Sequence, residues 1–510
     1  MVGGAKLGGL LAALAVLGPE RLSALADENG HDQPATPFSA AMVRQRAEEL
    51  SRSAFSKPHI DAPAPFDKLS ADQFRDIRFK AESAVWKGER LDCEVQLLPL
   101  GYLYDVPVKI NLVDDEGARP LVADQRFFTI GPSIGKVAEG APYGFSGFRL
   151  NSPINQADVL DEYLVFQGAS FFRSVGRNQR YGVSARGLAI DTARPTGEEF
   201  PFFRTFWIEK PKPGMQSVVI HALLDSPSTT GAYRFVIAPG EATVIDVELT
   251  LFPRKDVTHV GIAPLTSMYR HGAAQNRLPM DYRPSAHDSE GLAILNGRGE
   301  RLWRPVTNPR TLQTSAFVDA SPKGFGLLQR DRNFSGYQDL DARYERRPTV
   351  WVEPRGAWGE GYVELIEIPS EAEIHDNIVC YWKPSKGLQA GSSYQFAYRM
   401  TWGQSVPIAW SGLSVVTTRQ GSAGGEDQRL FVIDFAGPGT SELGALPTAE
   451  VRSSSGSIAD LMVQENPEVK GVRVSFVLNT AGTDVVELRL GLKAKDRLVS
   501  ESWLYRWTRA

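Results

Sequence analysis

Two short segments carry acids where chemistry could use them. In Glu364–Trp382, ELIEIPSEAEIHDNIVCYW, a loop between two strand-like runs holds Glu373, His375 and Asp376. In RPSAHDSEGL, Asp288 follows His287 at the start of the apolar run Leu292–Leu295. Two carboxyl groups facing one cleft can divide acid and base work, one protonating a leaving oxygen and the other activating an attacking hydroxyl. The repeated His-Asp dipeptides, with Glu373 as a third carboxylate, allow a competing reading, a mononuclear site of two histidines and a carboxylate. Only seven histidines are present and no further ligand stands at a telling spacing, so the paired-acid reading is preferred.

The elements that must position these acids read as strands. Ile378, Cys380 and Trp382 fall on one face of an extended chain, and Val379 and Tyr381 on the other. A strand apolar on both faces is buried in a sheet and holds its first residues rigidly, which mounts Asp376 at the end of a fixed strand. From Tyr181 to about Met400, short strands such as VVIHALLD, YRFVIAP, TVIDVELTLF, GFGLLQ and TVWVEP alternate with turns. That spacing predicts a large β-sandwich. No GxGxxG, P-loop, HExxH or GxSxG motif occurs, which removes nucleotide, zincin and serine-hydrolase readings at motif level.

Between Asp281 and Trp382 the chain is dense in Trp, Arg and acids. Indole faces stack on the C–H faces of sugar rings, and planar acids and guanidinium groups bond vicinal hydroxyls. The alternative is that these tryptophans are sandwich core and the charges a solvated face. After a texture change near Thr401–Val406 and the Ser/Gly-rich Gly421–Gly425, five strands follow: RLFVIDF, SIADLMVQ, GVRVSFVL, VVELRLGL and LVSESWLYRW. They predict an immunoglobulin-like sandwich used for packing or partner contact.

Towards the N-terminus, Lys6, the apolar Leu7–Leu17 and Ala24-Leu25-Ala26 before Asp27 have the form of a secretory signal. Nothing later reaches the roughly 18 apolar residues that a membrane helix needs. Asp27–Pro37 reads as a flexible polar leader. Ser39 is placed to cap a helix bearing Val43, Ala47, Leu50 and Ala54, and Ser70-Ala71-Asp72-Gln73 has capping-box form. The runs Val95–Leu98, Val106–Leu112 and Phe127–Ile130 read as strands, and Ala157–Gln167 as a further helix. At 510 residues two domains are expected, and a formal charge of −4 gives no reason to expect a nucleic-acid or anionic-membrane partner. Cys93 and Cys380 are the two cysteines; they could pair in an oxidising compartment or lie as separate buried thiols, and neither is assigned a function.

Long stretches of the chain resemble the periplasmic glucan biosynthesis protein G/D family of Gram-negative bacteria. YDVPVKINLV, GASFFRSVG, YGVSARGLAIDTARPTGEEFPFFRTFWIEKPKP and ALLDSPSTTGAYRFVIAPG carry the resemblance, as do YRPSAHDSEGL, GFGLLQRDRNFSGYQDLDARYERRPTVWVEP and VELIEIPSEAEIHDNIVCYW. It covers about Phe38 to Trp507. The resemblance implies an all-β protein: a glucan-binding or catalytic sandwich with a cleft over 38–402 and an immunoglobulin-like domain over 408–510, behind a signal at 1–26 and a leader at 27–37. It implies action on a β-1,2-linked glucan backbone in the periplasm, as an inverting glycoside hydrolase or a ring-closing transglycosylase, or else a non-catalytic role in glucan assembly. The general acid of such members matches Asp376, with Glu373 three residues before it, and the base matches Asp288. Glu373 is then expected to tune Asp376 by like-charge repulsion. Trp351, Trp358, Trp382, Tyr344 and Arg347 are the expected substrate contacts. No metal or cofactor is expected. The partners implied are β-1,2-glucan and, further, an inner-membrane glucan synthase, with no nucleic acid and no stable membrane insertion once the signal is cleaved.

Overall fold

The computed structural model describes residues 34–59, 65–135, 137, 144–275, 280–442 and 444–509. The signal expected over 1–26 lies outside the described residues, as does the expected leader up to residue 33. Where that leader comes into view, Thr36 exchanges two backbone hydrogen bonds with Ala118, at 2.9 and 2.8 Å.

Alternation of apolar and polar residues builds the body of the molecule. In Thr229–Ala238, Tyr233, Phe235 and Ile237 are buried while Arg234, Val236 and Ala238 are half-buried. This strand pairs with Val218–Asp225 on one side and Thr243–Pro253 on the other, inside a fifteen-stranded sheet. A ten-stranded sheet packs against it, with Val260–Ser267 and Ile378–Pro384 as central neighbours. Both central strands are buried along nearly their whole length, as expected for runs apolar on both faces. Between the sheets Phe148, Phe166 and Phe172 stack in succession at 5.4 and 5.1 Å. Phe206 and Phe235 of the larger sheet meet this stack edge-on at 5.0 and 5.6 Å. Each such pair adds about 0.5–1.5 kcal/mol beyond its buried area.

The helix Ala40–Ser51 begins where Ser39 Oγ accepts from Met42 N, and buries Val43 and Ala47 against the outer side of the large sheet. The capping box at Ser70 and Gln73 is also present. Ala157–Gln167 is not a helix: Val159–Gln167 is a strand paired with Phe145–Gln156. Leu164 and Phe166 stand opposite Leu150 and Phe148, and this cross-strand packing outweighs the local spacing.

The C-terminal strands form a smaller sandwich. One layer holds Ser414–Ser422, Gln428–Ala436, Gly471–Asn479 and Ser457–Asn466; Gly421–Gly425 lies at the first hairpin of this layer. The facing strands Thr448–Ser453, Val485–Ala494 and Ser502–Thr508 belong to the fifteen-stranded sheet, which they join where Ser502–Thr508 runs parallel to Arg301–Pro305. Trp303 and Trp351 therefore share one apolar cluster with Phe431, Phe476 and Trp503. Among the described residues no helix is long and apolar enough to cross a membrane. Cys93 and Cys380 are free and buried; burial pushes the Cys93 thiol up to about 12 and raises Cys380 as well.

Candidate active site

Three residues, Ser267, Met268 and Tyr269, form the seat on which both candidate acids are mounted. They join the central strand Val260–Ser267 to the short strand Tyr269–His271, which pairs with Ala286–His287. On one flank Asn377, immediately after Asp376, is almost wholly buried. Its backbone N donates to Ser267 O at 3.0 Å, and its side chain bonds both backbone groups of Tyr269. On the other flank Asp288 N donates to Met268 O at 2.8 Å, and the Ser267 and Ser289 hydroxyls lie 2.7 Å apart. Asp288 and Asp376 thus leave opposite flanks of one short segment.

Their surroundings differ. Asp288 is 8% exposed. Burial pushes its carboxyl up to about 6, opposed by the positive charge of Arg347 and reinforced by the negative charge of Asp376. Arg347 Nε lies 3.4 Å from Asp288 Oδ1, an ion contact without hydrogen-bond alignment. Asp376 has a side chain 26% exposed and stands 3.8 Å from an Arg173 guanidinium nitrogen. Arg173 comes from Phe171–Ser174 and is steadied by donating to Ser184 Oγ at 2.6 Å.

Glu373 is engaged by a cation. Arg283 donates to both of its oxygens, and the Tyr344 hydroxyl donates to Oε2 at 2.8 Å. The Arg283 bond holds its carboxyl below the usual range. The same guanidinium bonds Asp281 at 2.8 and 3.0 Å and Asp339 at 3.0 Å, tying three loops to one point. With its charge matched in this way, Glu373 anchors the loop that carries Asp376.

The structure brings Asp288, Asp376, Glu373, Tyr344 and Arg347 together. It does not bring the tryptophans. Trp351, Trp358 and Trp382 are 3%, 7% and 0% exposed, and all three belong to the apolar cores. Trp358 packs on Trp382 at 6.3 Å and edge-on to Phe396 and Tyr398, each at 6.0 Å. Their aromatic faces are used in packing, which corrects their expected place against substrate here.

His287 is buried and stacks on Tyr269, with centroids 5.2 Å apart; burial pulls its imidazole down to about 3, so it is neutral. Gln329 Nε2 donates to His287 O and Tyr344 O, each at 3.0 Å, which turns Oε1 towards His287 Nδ1 at 2.9 Å. Nδ1 therefore carries the proton. His375 is exposed, and among the described residues no group of three or more His, Cys, Asp or Glu side chains is arranged to hold a metal ion. The sequence reading passed over Arg173, Asn377 and Gln329. GASFFR and the Asn after Asp376 were the available signals, both in segments singled out for other reasons.

Comparison with known proteins gives a consistent outcome. The profile of the family described as "Periplasmic glucan biosynthesis protein, MdoG" matches residues 38–507. The glucans biosynthesis protein G 1 of Shewanella oneidensis is 48% identical over 469 residues, covering 90% of this chain and 86% of the relative. The glucans biosynthesis protein G of Vibrio cholerae is 47% identical over 466 residues, covering 90% and 85%. A solved galactose mutarotase related enzyme from Lactobacillus acidophilus covers 48% of this chain and 98% of its own at 10% identity. Its TM-score of 0.22 is too low to carry an argument.

Proposed function

This chain belongs to the periplasmic glucan biosynthesis family, MdoG, and from that premise we propose that it acts in the periplasm on the backbone of a β-1,2-linked glucan. Asp376 is the general acid, directly or through a hydroxyl or water relay. Asp288 is the base that activates a water or an acceptor hydroxyl. The observation that carries the reading is the pair of carboxylates on opposite flanks of Ser267–Tyr269, one buried and raised to about 6, the other open beside Arg173.

The electrostatics support this division. A carboxyl near 6 is ionised at neutral pH, yet accepts a proton more readily than an ordinary aspartate does. Arg347 and Tyr344 line the Asp288 side and can orient sugar hydroxyls, while Arg283 keeps Glu373 and its loop in place. Inverting chemistry keeps the two carboxyl groups apart to admit a nucleophile. Water reaching the reactive carbon gives hydrolysis, and a sugar hydroxyl gives transfer. Export by the N-terminal signal and work alongside an inner-membrane glucan synthase complete the proposal.

The test is incubation of purified protein with linear β-1,2-glucan, resolving products by size and by reducing-end content. Shorter chains or loss of reducing ends are expected, with Asp376→Asn folded and inactive. Saturable glucan binding with no change in chain length or reducing ends would leave a non-catalytic assembly role in place of the enzyme.

A further inference from the structure

Where the two sandwiches meet, Arg301 opens the strand Arg301–Pro305, through which their shared sheet passes. Its half-buried guanidinium lies over the Trp410 ring at 4.6 Å, and Nη2 donates to Ala409 O at 3.0 Å. Both partners are neutral. Among the described residues Arg301 has no carboxylate partner, and nothing accepts from its Nε or Nη1. Burial lowers the proton affinity of the group, an effect that Glu501 opposes and Arg330 reinforces. A guanidinium keeps its proton all the same, so a positive charge stands here partly withdrawn from water.

The acid whose field Arg301 feels is committed elsewhere. Both Glu501 oxygens accept from Arg330, each at 2.9 Å, and Oε2 also accepts from Val415 N at 3.0 Å. One carboxylate therefore serves two guanidinium groups, which leaves one cation in excess. Charges taken out of water are usually paired. Arg301, Arg330 and Glu501 all line a cavity of 390 Å³, within the roughly 300–1,000 Å³ span of small-molecule sites. Leu295, Leu302, Val406 and Ile408 line it too, each half-buried and so with apolar surface still uncovered.

We propose that this junction cavity binds a small monocarboxylate with an apolar body, its carboxylate on Arg301 and its hydrocarbon against Leu295, Leu302, Val406 and Ile408. One cation in excess matches one negative charge, whereas a phosphate monoester brings nearly two. Charge-assisted bonds from guanidinium to carboxylate are among the strong ones, and the apolar lining gives the rest of the ligand a surface to cover. The site is separate from Asp288 and Asp376 and does not depend on the glucan reading above.

The probe is octanoate, titrated into the full chain by calorimetry and tryptophan fluorescence, with 1-octanol and octylamine as neutral and cationic controls. Saturable binding of octanoate is expected, about tenfold or more tighter than that of 1-octanol, with octylamine weaker still. Arg301→Met, which keeps an apolar stem, should remove that preference, and Arg301→Lys, which keeps the charge, should retain it. Val406→Trp, which fills the cavity, should abolish binding of octanoate and 1-octanol alike. The junction site is overturned if octanoate does not bind, or if either control binds as tightly. It is overturned as well if Val406→Trp binds octanoate as the parent does, or if the preference survives in Arg301→Met. Should Arg301→Met fail to fold, the parent's choice among the three ligands and the Val406→Trp titration still decide.

Discussion

Asn377 and Tyr269 exchange two hydrogen bonds: Tyr269 N donates to Asn377 Oδ1 at 2.8 Å, and Asn377 Nδ2 donates to Tyr269 O at 3.0 Å. Nδ2 also reaches Ile368 O at 3.1 Å. An aspartate at this position can still accept from Tyr269 N but donates to neither carbonyl. Each buried group left unpaired costs about 1–3 kcal/mol. Asn377→Asp is therefore expected to lose about 2–4 kcal/mol in urea unfolding. It should also lower kcat on glucan more than it raises KM, because the adjoining Asp376 loses its mount. A variant as stable and active as the parent would remove this clamp from the mechanism.

Asp288 makes stability and activity respond to pH in opposite senses. Its carboxyl stands at about 6 against an ordinary 3.8, chiefly through burial. The folded chain thus binds this proton more tightly than the unfolded chain does. The stabilisation is full below about pH 4 and is lost as pH rises through 6. A shift of this size corresponds to about 3 kcal/mol. Asp288→Asn should then be more stable than the parent by about 1–3 kcal/mol at pH 8, with the difference closing near pH 4. Catalysis should be lost in that variant, while the parent's activity falls on the acid side with a midpoint near 6. Urea titrations at the two pH values and a pH–rate profile check both halves.

Arg283 holds Asp281, Asp339 and Glu373 with one guanidinium whose side chain is 12% exposed. Removing it takes the paired cation from Asp339 and Glu373 and one partner from Asp281. Breaking such a buried arrangement costs about 3–5 kcal/mol. Arg283→Ala is expected to show that loss, together with a raised KM as the Tyr344 and Asp376 loops separate. Glu373→Gln is the milder probe. It removes one of the negative charges that raise Asp288, so the acid limb of the rate profile should move to lower pH. A move to higher pH would contradict the placement of Glu373.

Local pattern carried much of this architecture and little of the site's wiring. Ile378–Trp382 was legible as a buried strand because apolar side chains occupy both parities of the run, and Ser39 as a cap because its hydroxyl acts within three residues. Val159–Gln167 was misread because its conformation is decided by Phe148 and Leu150 across the sheet. The same distance hid Asn377, whose partner Tyr269 is 108 residues away in the chain. Trp358 and Trp382 are of the type that stacks on sugars, but type alone does not say which face of the sandwich a ring enters. Asp288 and Asp376 were placed with the help of the family resemblance, since a chain with 60 acidic residues offers many alternative pairs.

The two sandwiches should unfold as one unit. Ser502–Thr508 continues the fifteen-stranded sheet through Arg301–Pro305, and Trp303 and Trp503 share an apolar cluster across the join. Arg330 fastens this junction: it stacks over the Trp303 ring at 3.6 Å and donates to both oxygens of the buried Glu501. Without it the buried Glu501 loses its ion-paired cation, at a cost of about 3–5 kcal/mol. Lysine does not restore the fork or the planar stack. Scanning calorimetry should therefore give a single transition for the parent, and a lower melting temperature for Arg330→Ala that Arg330→Lys does not recover. Two separate transitions in the parent would show that the shared sheet does not couple the sandwiches.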